Sequence, residues 1–248
     1  MKKFILAIFF STCSLWVHAE DKSLTLPTGT LVVYASQPGE AVMDGVKAVD
    51  KNSPFTGALL ENLKNPEDIN FVLRKVRQKV MEVTAQAQQP VTLDTYTPGS
   101  LVLARLNNGY PKKLQAQAWV VGNAKYQNIL PLNNSGNDAK AISELLKSLN
   151  FSVTTSLDRS KSELISDLTK FQENAQKSDI TLFFFAGHGV QIEGVNYLLP
   201  VDVTANSAAS LADGSLSVPA IMKNFPGNTR LFLIDADSDN PFASKSSR

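Results

Sequence analysis

Short apolar runs alternate with amphipathic segments along most of the chain. Runs rich in β-branched and aromatic residues predict buried strands, at 31–35, 118–123, 151–158, 180–189 and 230–236. Apolar positions at helical spacing predict helices at 137–150 and 161–176. Strands that alternate with amphipathic helices are typical of a parallel sheet covered by helices on both faces, so the pattern predicts an α/β fold.

The remaining segments are less regular. Ser53 followed by Pro54 is typical of a helix start, and the apolar spacing within 66–87 predicts a second amphipathic helix. Residues 88–115 contain three prolines and Asn107-Asn108-Gly109, which indicates a linker, with one strand expected at 101–104. A hairpin is expected within 190–202 and a short helix near 219–225.

The N-terminus has the pattern of a secretory signal peptide. Met1-Lys2-Lys3 is basic, Phe4 to Val17 is apolar but short for a membrane span, and Val17-His18-Ala19 fits cleavage before Glu20. We therefore expect a signal peptide at 1–19 and a secreted or periplasmic mature protein, with an uncleaved N-terminal anchor as the alternative.

Composition then limits the chemistry. The chain has 24 Lys and Arg against 23 Asp and Glu, a net charge of +1, which does not favour nucleic acid or an anionic membrane as partner. Its single cysteine, Cys13, and one of its two histidines, His18, lie in the predicted signal peptide. A mature chain without them has no thiol for a disulfide, a Cys/His zinc site or a cysteine nucleophile, and keeps only the imidazole of His188.

Candidate chemistry lies at the ends of two predicted strands. His188 stands between two glycines directly after the run 180–187, and Asp235 and Asp237 follow the last strand. Ligands of parallel sheets bind at the carboxyl ends of the strands, so we expect these groups to lie together. A structural histidine in a tight turn is the alternative for His188.

Residues 119–202, with "FFFAGHGV", resemble the large subunit of bacterial caspase-like proteins, the metacaspase and paracaspase relatives of peptidase C14 type. The resemblance implies that His188 occupies the position of the catalytic base. In that family a later strand ends in a motif of the type Asp-Ala-Cys-Arg-Asp-Asn-Pro-Phe, whose cysteine is the nucleophile. This chain has "DADSDNPF" at 235–242, so Asp237 stands at the cysteine position and Ser238 at the arginine position.

Residues 29–84 are similar to the small subunit, which in these proteins follows the cysteine motif. Here the segment comes first, so the resemblance implies a circularly permuted, three-layer caspase-like fold with a mostly parallel central sheet. The expected parts are a small-subunit-like part at 20–87, a linker at 88–115 that joins the permuted halves, and a large-subunit-like part at 116–248.

The resemblance also implies a substrate pocket. Asp235 and Asp138 match two acids that bind the basic side chain in arginine- and lysine-specific members, and a carboxylate pairs well with a guanidinium. Asp138 is equally explained as an acid favoured at a helix N-terminus, and the two roles are compatible. A carboxylate at position 237 is a poor nucleophile toward an amide, which predicts a pseudo-peptidase that binds a basic peptide or a partner without cleaving it.

Other hypotheses remain open at this point. The chain could be a hydrolase that uses Ser238, or a water held by Asp237 and His188, or it could be a purely structural domain. The alternating acids Asp235, Asp237 and Asp239 resemble the start of a calcium loop, although Asn240 and Ser246 replace its glycine and glutamate. We expect no resident cofactor, with Ca²⁺ as the alternative, and the expected assemblies are a homodimer or a pair with another caspase-like chain.

Overall fold

The computed structural model describes residues 26–37, 42–45, 51–95, 100–106 and 109–236. It contains nine strands: β1 Thr30–Tyr34, β2 Val91–Asp94, β3 Ala116–Gly122, β4 Ser152–Leu157, β5 Ile180–Gly187, β6 Gly189–Ile192, β7 Val195–Leu198, β8 Leu216–Ser217 and β9 Thr229–Ala236. Its helices are α1 Pro54–Asn62, α2 Ile69–Val83, α3 Ser135–Ser148, α4 Lys161–Asn174, α5 Ala208–Gly214 and α6 Val218–Lys223. These counts refer to the described ranges.

Six strands form the central sheet in the order β2-β1-β9-β5-β3-β4. The pairs β1–β9, β9–β5, β5–β3 and β3–β4 are parallel, and only the edge strand β2 runs antiparallel to its neighbour among the described strands. A small antiparallel sheet of β6, β7 and β8 accompanies it. The α/β fold class and the mostly parallel sheet predicted from the sequence are therefore confirmed.

Alternation along the strands produces two cores, one on each face of the sheet. On one face α1, α2 and α3 cover Val33, Val120 and Phe184. On the other face α4 and α6 cover Trp119 and Phe183, and aromatic rings dominate the contacts. Strand β5 is buried on both faces, which explains its uninterrupted apolar run. The result is the three-layer arrangement that the sequence predicts.

Local signals in the sequence set where the helices begin. Ser53 caps α1, with Pro54 in the first turn, and its side chain accepts a hydrogen bond from the backbone of Thr56. Asp68 caps α2, and Ser160 caps α4 in a capping box with Glu163.

Two details of the linker region differ from the sequence prediction. The strand expected at 101–104 is wrong: Leu101 and Leu103 are buried in the same core as residues of α1, α2 and α3, and a 3₁₀ turn spans Leu103–Arg105. Among the described residues of 88–115 the strand is instead β2, which pairs with β1. Apolar residues mark burial in both cases, and the tertiary partner decides the secondary structure.

Several predicted features lie outside the described residues, among them the signal peptide at 1–19 and Asp237. Within the described ranges, no helix is long and apolar enough to cross a membrane.

Candidate functional site

The candidate site lies at the carboxyl ends of β5 and β9, the two central strands. Asp235 near the end of β9 is in register with Ala186 of β5, and His188 follows β5 directly. The prediction that the strand ends bring His188 and Asp235 to one place is thereby confirmed. Helices α1 and α3 both begin beside this edge and supply Ser53 and Asp138.

A small pocket opens between these elements, with a volume of about 50 Å³. A water molecule needs at least ~10–15 Å³ on this measure, so the pocket has room for about three to five water-sized groups. Its lining combines acids, the histidine and a few apolar groups: Val42, Met43, Asp44, Ser53, Leu132, Ser135, Asp138, Ala186, Gly187, His188 and Asp235.

Asp235 is 5% exposed and is held from one side only. Its Oδ2 accepts hydrogen bonds from the hydroxyls of Ser53 and Thr56, the latter at 3.1 Å. Its Oδ1 is buried and has no hydrogen-bond partner among the described residues, although Asp235 lines the pocket. A buried, unpartnered carboxylate oxygen is costly, and it is a strong acceptor for a donor that enters the pocket.

Asp138 is 2% exposed and lies in the first turn of α3. Its Oδ1 accepts hydrogen bonds from the side chain of Asn52 at 2.8 Å and from the backbone of Ser53 at 3.1 Å. The two explanations that the sequence left open for Asp138 therefore coexist: it lies at a helix N-terminus and it lines the pocket.

Ser53 connects the two acids. Its backbone N–H donates to Asp138, its hydroxyl donates to Asp235, and the same hydroxyl oxygen accepts from Thr56 N at 3.0 Å. The cap of α1 thus holds both carboxylates at the start of one helix, where the helix dipole favours negative charge.

Burial raises the pKa of both carboxyls above the ordinary range of aspartate. For Asp138 the nearby charge of Asp235 raises the pKa further, while hydrogen bonds from Asn52 and Ser53 act in the opposite direction. For Asp235 the hydroxyls of Ser53 and Thr56 act in the opposite direction. Burial therefore favours the protonated acids, and an entering cation would favour the charged form.

His188 is fixed through both its backbone and its ring. Its backbone N–H donates to the hydroxyl of Tyr126 at 2.7 Å, and the two rings lie 4.7 Å apart between centroids. Ring atom Nε2 is 2.8 Å from the carbonyl oxygen of Leu130. A carbonyl only accepts hydrogen bonds, so Nε2 donates in this contact and Nδ1 is the ring nitrogen that the contact does not use.

Glycines allow the close approaches around this edge. A Cβ at Gly187 would lie 2.7 Å from the hydroxyl of Tyr126, the group that holds His188. A Cβ at Gly122 would lie 2.6 Å from both Ala139 Cβ and Ser135 O, so the start of α3 packs directly on β3. Both glycines serve tight packing that places the site residues.

The structure brings together three of the four site residues predicted from the sequence: His188, Asp138 and Asp235. Asp237 lies outside the described residues, so its role at the nucleophile position stays a prediction. Calcium at Asp235, Asp237 and Asp239 also stays a prediction, because two of these residues are not described. Within the described part of the chain, no group of three or more metal-binding side chains is arranged to hold an ion.

Sequence reasoning missed several residues of the site. Ser53 was interpreted only as a helix cap, and Asn52, Thr56, Asp44 and Tyr126 were not singled out. A usable signal was the pair of hydroxyls in Ser53-Pro54-Phe55-Thr56, because a cap needs only one of them.

Comparison with known proteins gives the family. The model of the caspase domain, Peptidase C14, matches residues 12–98 and 115–245. No curated protein matches the chain at a significant level. Since the two matched segments together span most of the 248 residues, the chain belongs to the caspase domain family.

Proposed function

We propose that this caspase-like protein binds a peptide segment containing arginine or lysine in the pocket of Asp235 and Asp138, and does not cleave it. One observation carries the proposal. Asp235 lines the pocket and is only 5% exposed, yet its Oδ1 has no hydrogen-bond partner among the described residues. A cationic donor would supply the missing hydrogen bond.

The size and charge of the pocket support a guanidinium or ammonium group as the ligand. A guanidinium has four non-hydrogen atoms, a size that a pocket of about 50 Å³ can accommodate. Two buried carboxylates, both hydrogen-bonded to Ser53, line the pocket, and two acceptor groups suit the planar, multiply donating head of arginine better than a single ammonium. Arginine is therefore the preferred side chain.

Binding without cleavage is proposed from the resemblance around position 237. The family's nucleophile is a cysteine, and this chain has Asp237 there. A carboxylate attacks an amide poorly and would instead pair with the His188 imidazole. A domain that keeps the pocket acids and the histidine but lacks the thiol would still recognise a peptide.

The same proposal includes a circularly permuted order of the caspase-like parts. In support of it, the family model matches two separate segments, and β1, the first strand, pairs in parallel with β9, the last. With this order, the pairing of β1 with β9 would put the small-subunit-like part at 20–87 beside the end of the large-subunit-like part. A secreted or periplasmic location, after cleavage before Glu20, is proposed from the N-terminal pattern alone.

The test compares cleavage of fluorogenic peptides ending in Arg or Lys by the parent chain and by Asp237→Cys. We expect no turnover by the parent and measurable turnover by the variant, because the thiol would meet an intact pocket and base. Asp237→Ser is the matched control, since it adds a hydroxyl in place of the thiol. If Asp237→Cys neither cleaves nor binds a basic peptide, the pocket does not have the proposed role.

A second candidate is an active hydrolase, and one observation favours it. The contact of His188 Nε2 with Leu130 O leaves Nδ1 free to act as a base, which catalysis needs and binding does not. In that case the parent would cleave the Arg peptide and His188→Ala would abolish turnover. Parent activity that survives His188→Ala would contradict this candidate too.

A further inference from the structure

The chain at residues 42–45 forms one wall of the pocket through Val42, Met43 and Asp44. Asp44 fastens this wall to the loop before α3. Its Oδ2 accepts from the backbone N–H of Asn133 at 2.7 Å, and its Oδ1 accepts from that of Asn134 at 3.1 Å. The side chain of Asn134 in turn donates to the backbone carbonyl of Asp44. Three hydrogen bonds thereby join Asp44 to Asn133 and Asn134, which lie 89 and 90 positions later in the chain.

A second anchor holds the same wall from the other side. The backbone N–H of Met43 donates to Gln88 Oε1 at 3.1 Å, and Gln88 Nε2 donates to Ala35 O at 3.0 Å. Gln88 is fully buried, so this anchor is fixed by the core next to β1. Gln88 thus holds Met43 against the core, and the neighbouring Asp44 holds the loop at Asn133 and Asn134 in a fixed position relative to that core.

That loop also holds the histidine. Leu130 O contacts His188 Nε2 at 2.8 Å, only three positions before Asn133. Between them, Leu132 donates its backbone N–H to Ala124 O at 3.0 Å and lines the pocket. The loop therefore has the histidine contact at one end and the Asp44 contact at the other.

We infer that Asp44 is a positioning residue that holds the Leu130 carbonyl against His188 Nε2, and so couples the acid pocket to the orientation of the imidazole. Its carboxylate is suited to this task because it offers one oxygen to each of two successive N–H groups. An asparagine has one acceptor oxygen, and its amide would oppose the second N–H. The value of this role for a ligand rests on the proposed function, whereas the histidine contact can be measured without any ligand.

The test is the hydrogen exchange of the His188 Nε2 proton, followed by ¹⁵N NMR of the full chain. His188→Ala identifies the resonance, since the chain has two histidines. We expect Asp44→Asn to accelerate exchange roughly five- to tenfold, the factor that corresponds to the net loss of about one hydrogen bond. Asn134→Ala removes only the hydrogen bond from the Asn134 side chain to the Asp44 carbonyl and should accelerate exchange less. This variant provides the test if Asp44→Asn does not fold.

Asp68→Asn is the matched control. Asp68 also offers one oxygen to each of two backbone N–H groups, those of Asn70 and Leu101, but it does not line the pocket. It should lower stability without accelerating exchange at His188. Unchanged exchange in both Asp44→Asn and Asn134→Ala, or equal acceleration in Asp68→Asn, would overturn the inference. Absence of peptide binding by the parent would instead count against the proposed function alone.

Discussion

Two serine caps in this chain share one local motif and differ in what surrounds them. Ser160 at the start of α4 completes a capping box with Glu163 at the protein surface. Ser53 at the start of α1 is 3% exposed and donates to Asp235 while its backbone donates to Asp138. The difference teaches that a cap recognised in a sequence can satisfy a helix alone, or can also hold buried charge at a site.

Replacing each serine by alanine should give the largest difference between the two caps. Ser160→Ala should cost about 0.5–1 kcal/mol, the ordinary loss of an exposed cap. Ser53→Ala should cost about 2–4 kcal/mol, because it also removes a donor from the buried Asp235. Unfolding in urea measures both. Equal costs would mean that the Ser53 hydroxyl stabilises only the helix.

The acids held by Ser53 and the acid held by Ser160 should make stability depend on pH with opposite sign. Burial raises the pKa of Asp138 and Asp235, so between pH ~4 and these raised values the folded chain binds more protons than the unfolded chain. Their contribution is complete below about pH 4 and is lost as the pH rises, by at most ~1.4 kcal/mol per pH unit for each proton.

Asp235→Asn should make this fall in stability between about pH 4 and 7 shallower. Urea unfolding at a series of pH values provides the measurement. Asp179→Asn is a control for the loss of an aspartate that accepts a backbone N–H, that of Gln115, without lining the pocket. An unchanged slope in Asp235→Asn would contradict the burial of a raised-pKa acid at this position.

Thr56→Val should have a smaller effect. The change keeps the shape and the backbone contact with Ser53 Oγ but removes the hydroxyl that donates to Asp235 at 3.1 Å. One lost hydrogen bond to a buried acid predicts about 1–2 kcal/mol of destabilisation at pH 7. Below pH 4 the cost should shrink, because a protonated acid needs the donor less. A cost that does not vary with pH would argue that Thr56 acts only through packing.

The smallest effect is expected at the exposed cap. Hydrogen bonds from Ser160 lower the pKa of Glu163, so its contribution is present above its ordinary pKa and is lost as the pH falls. Glu163→Gln should remove this weak decrease in stability at low pH and leave peptide binding unchanged. Thermal unfolding at pH 4 and 7 checks the sign: Glu163→Gln should be less stable than the parent at pH 7, with a smaller difference at pH 4, and a variant more stable than the parent at pH 7 would contradict it.

The sequence carries enough information for the fold and for the core of the site. Alternation and helical spacing predict the strands of the sheet, and the strand-end rule brings His188 next to Asp235. These features are local or follow from parallel topology, so no knowledge of side-chain packing is needed.

The site residues that the sequence did not predict are brought to the site by contacts between distant positions of the chain. Ser53 and Asp235 are 182 positions apart, and Asp44 and Asn134 are 90 apart. No periodicity encodes such a pair, because each residue looks like an ordinary polar position in its own segment. The same reason explains the wrong strand at 101–104, where the apolar residues pack in the core with residues of α1, α2 and α3 and do not join the sheet.

Calorimetric titration of the parent chain with an arginine peptide, beside the same peptide with norleucine in place of arginine, tests the central claim most directly. At about pH 6, in two buffers of different ionisation enthalpy, we expect binding of the arginine peptide alone, with release of protons as the acids become charged. Equal binding of the norleucine peptide, or no binding of either, would contradict the account of a cation pocket built on Asp235 and Asp138.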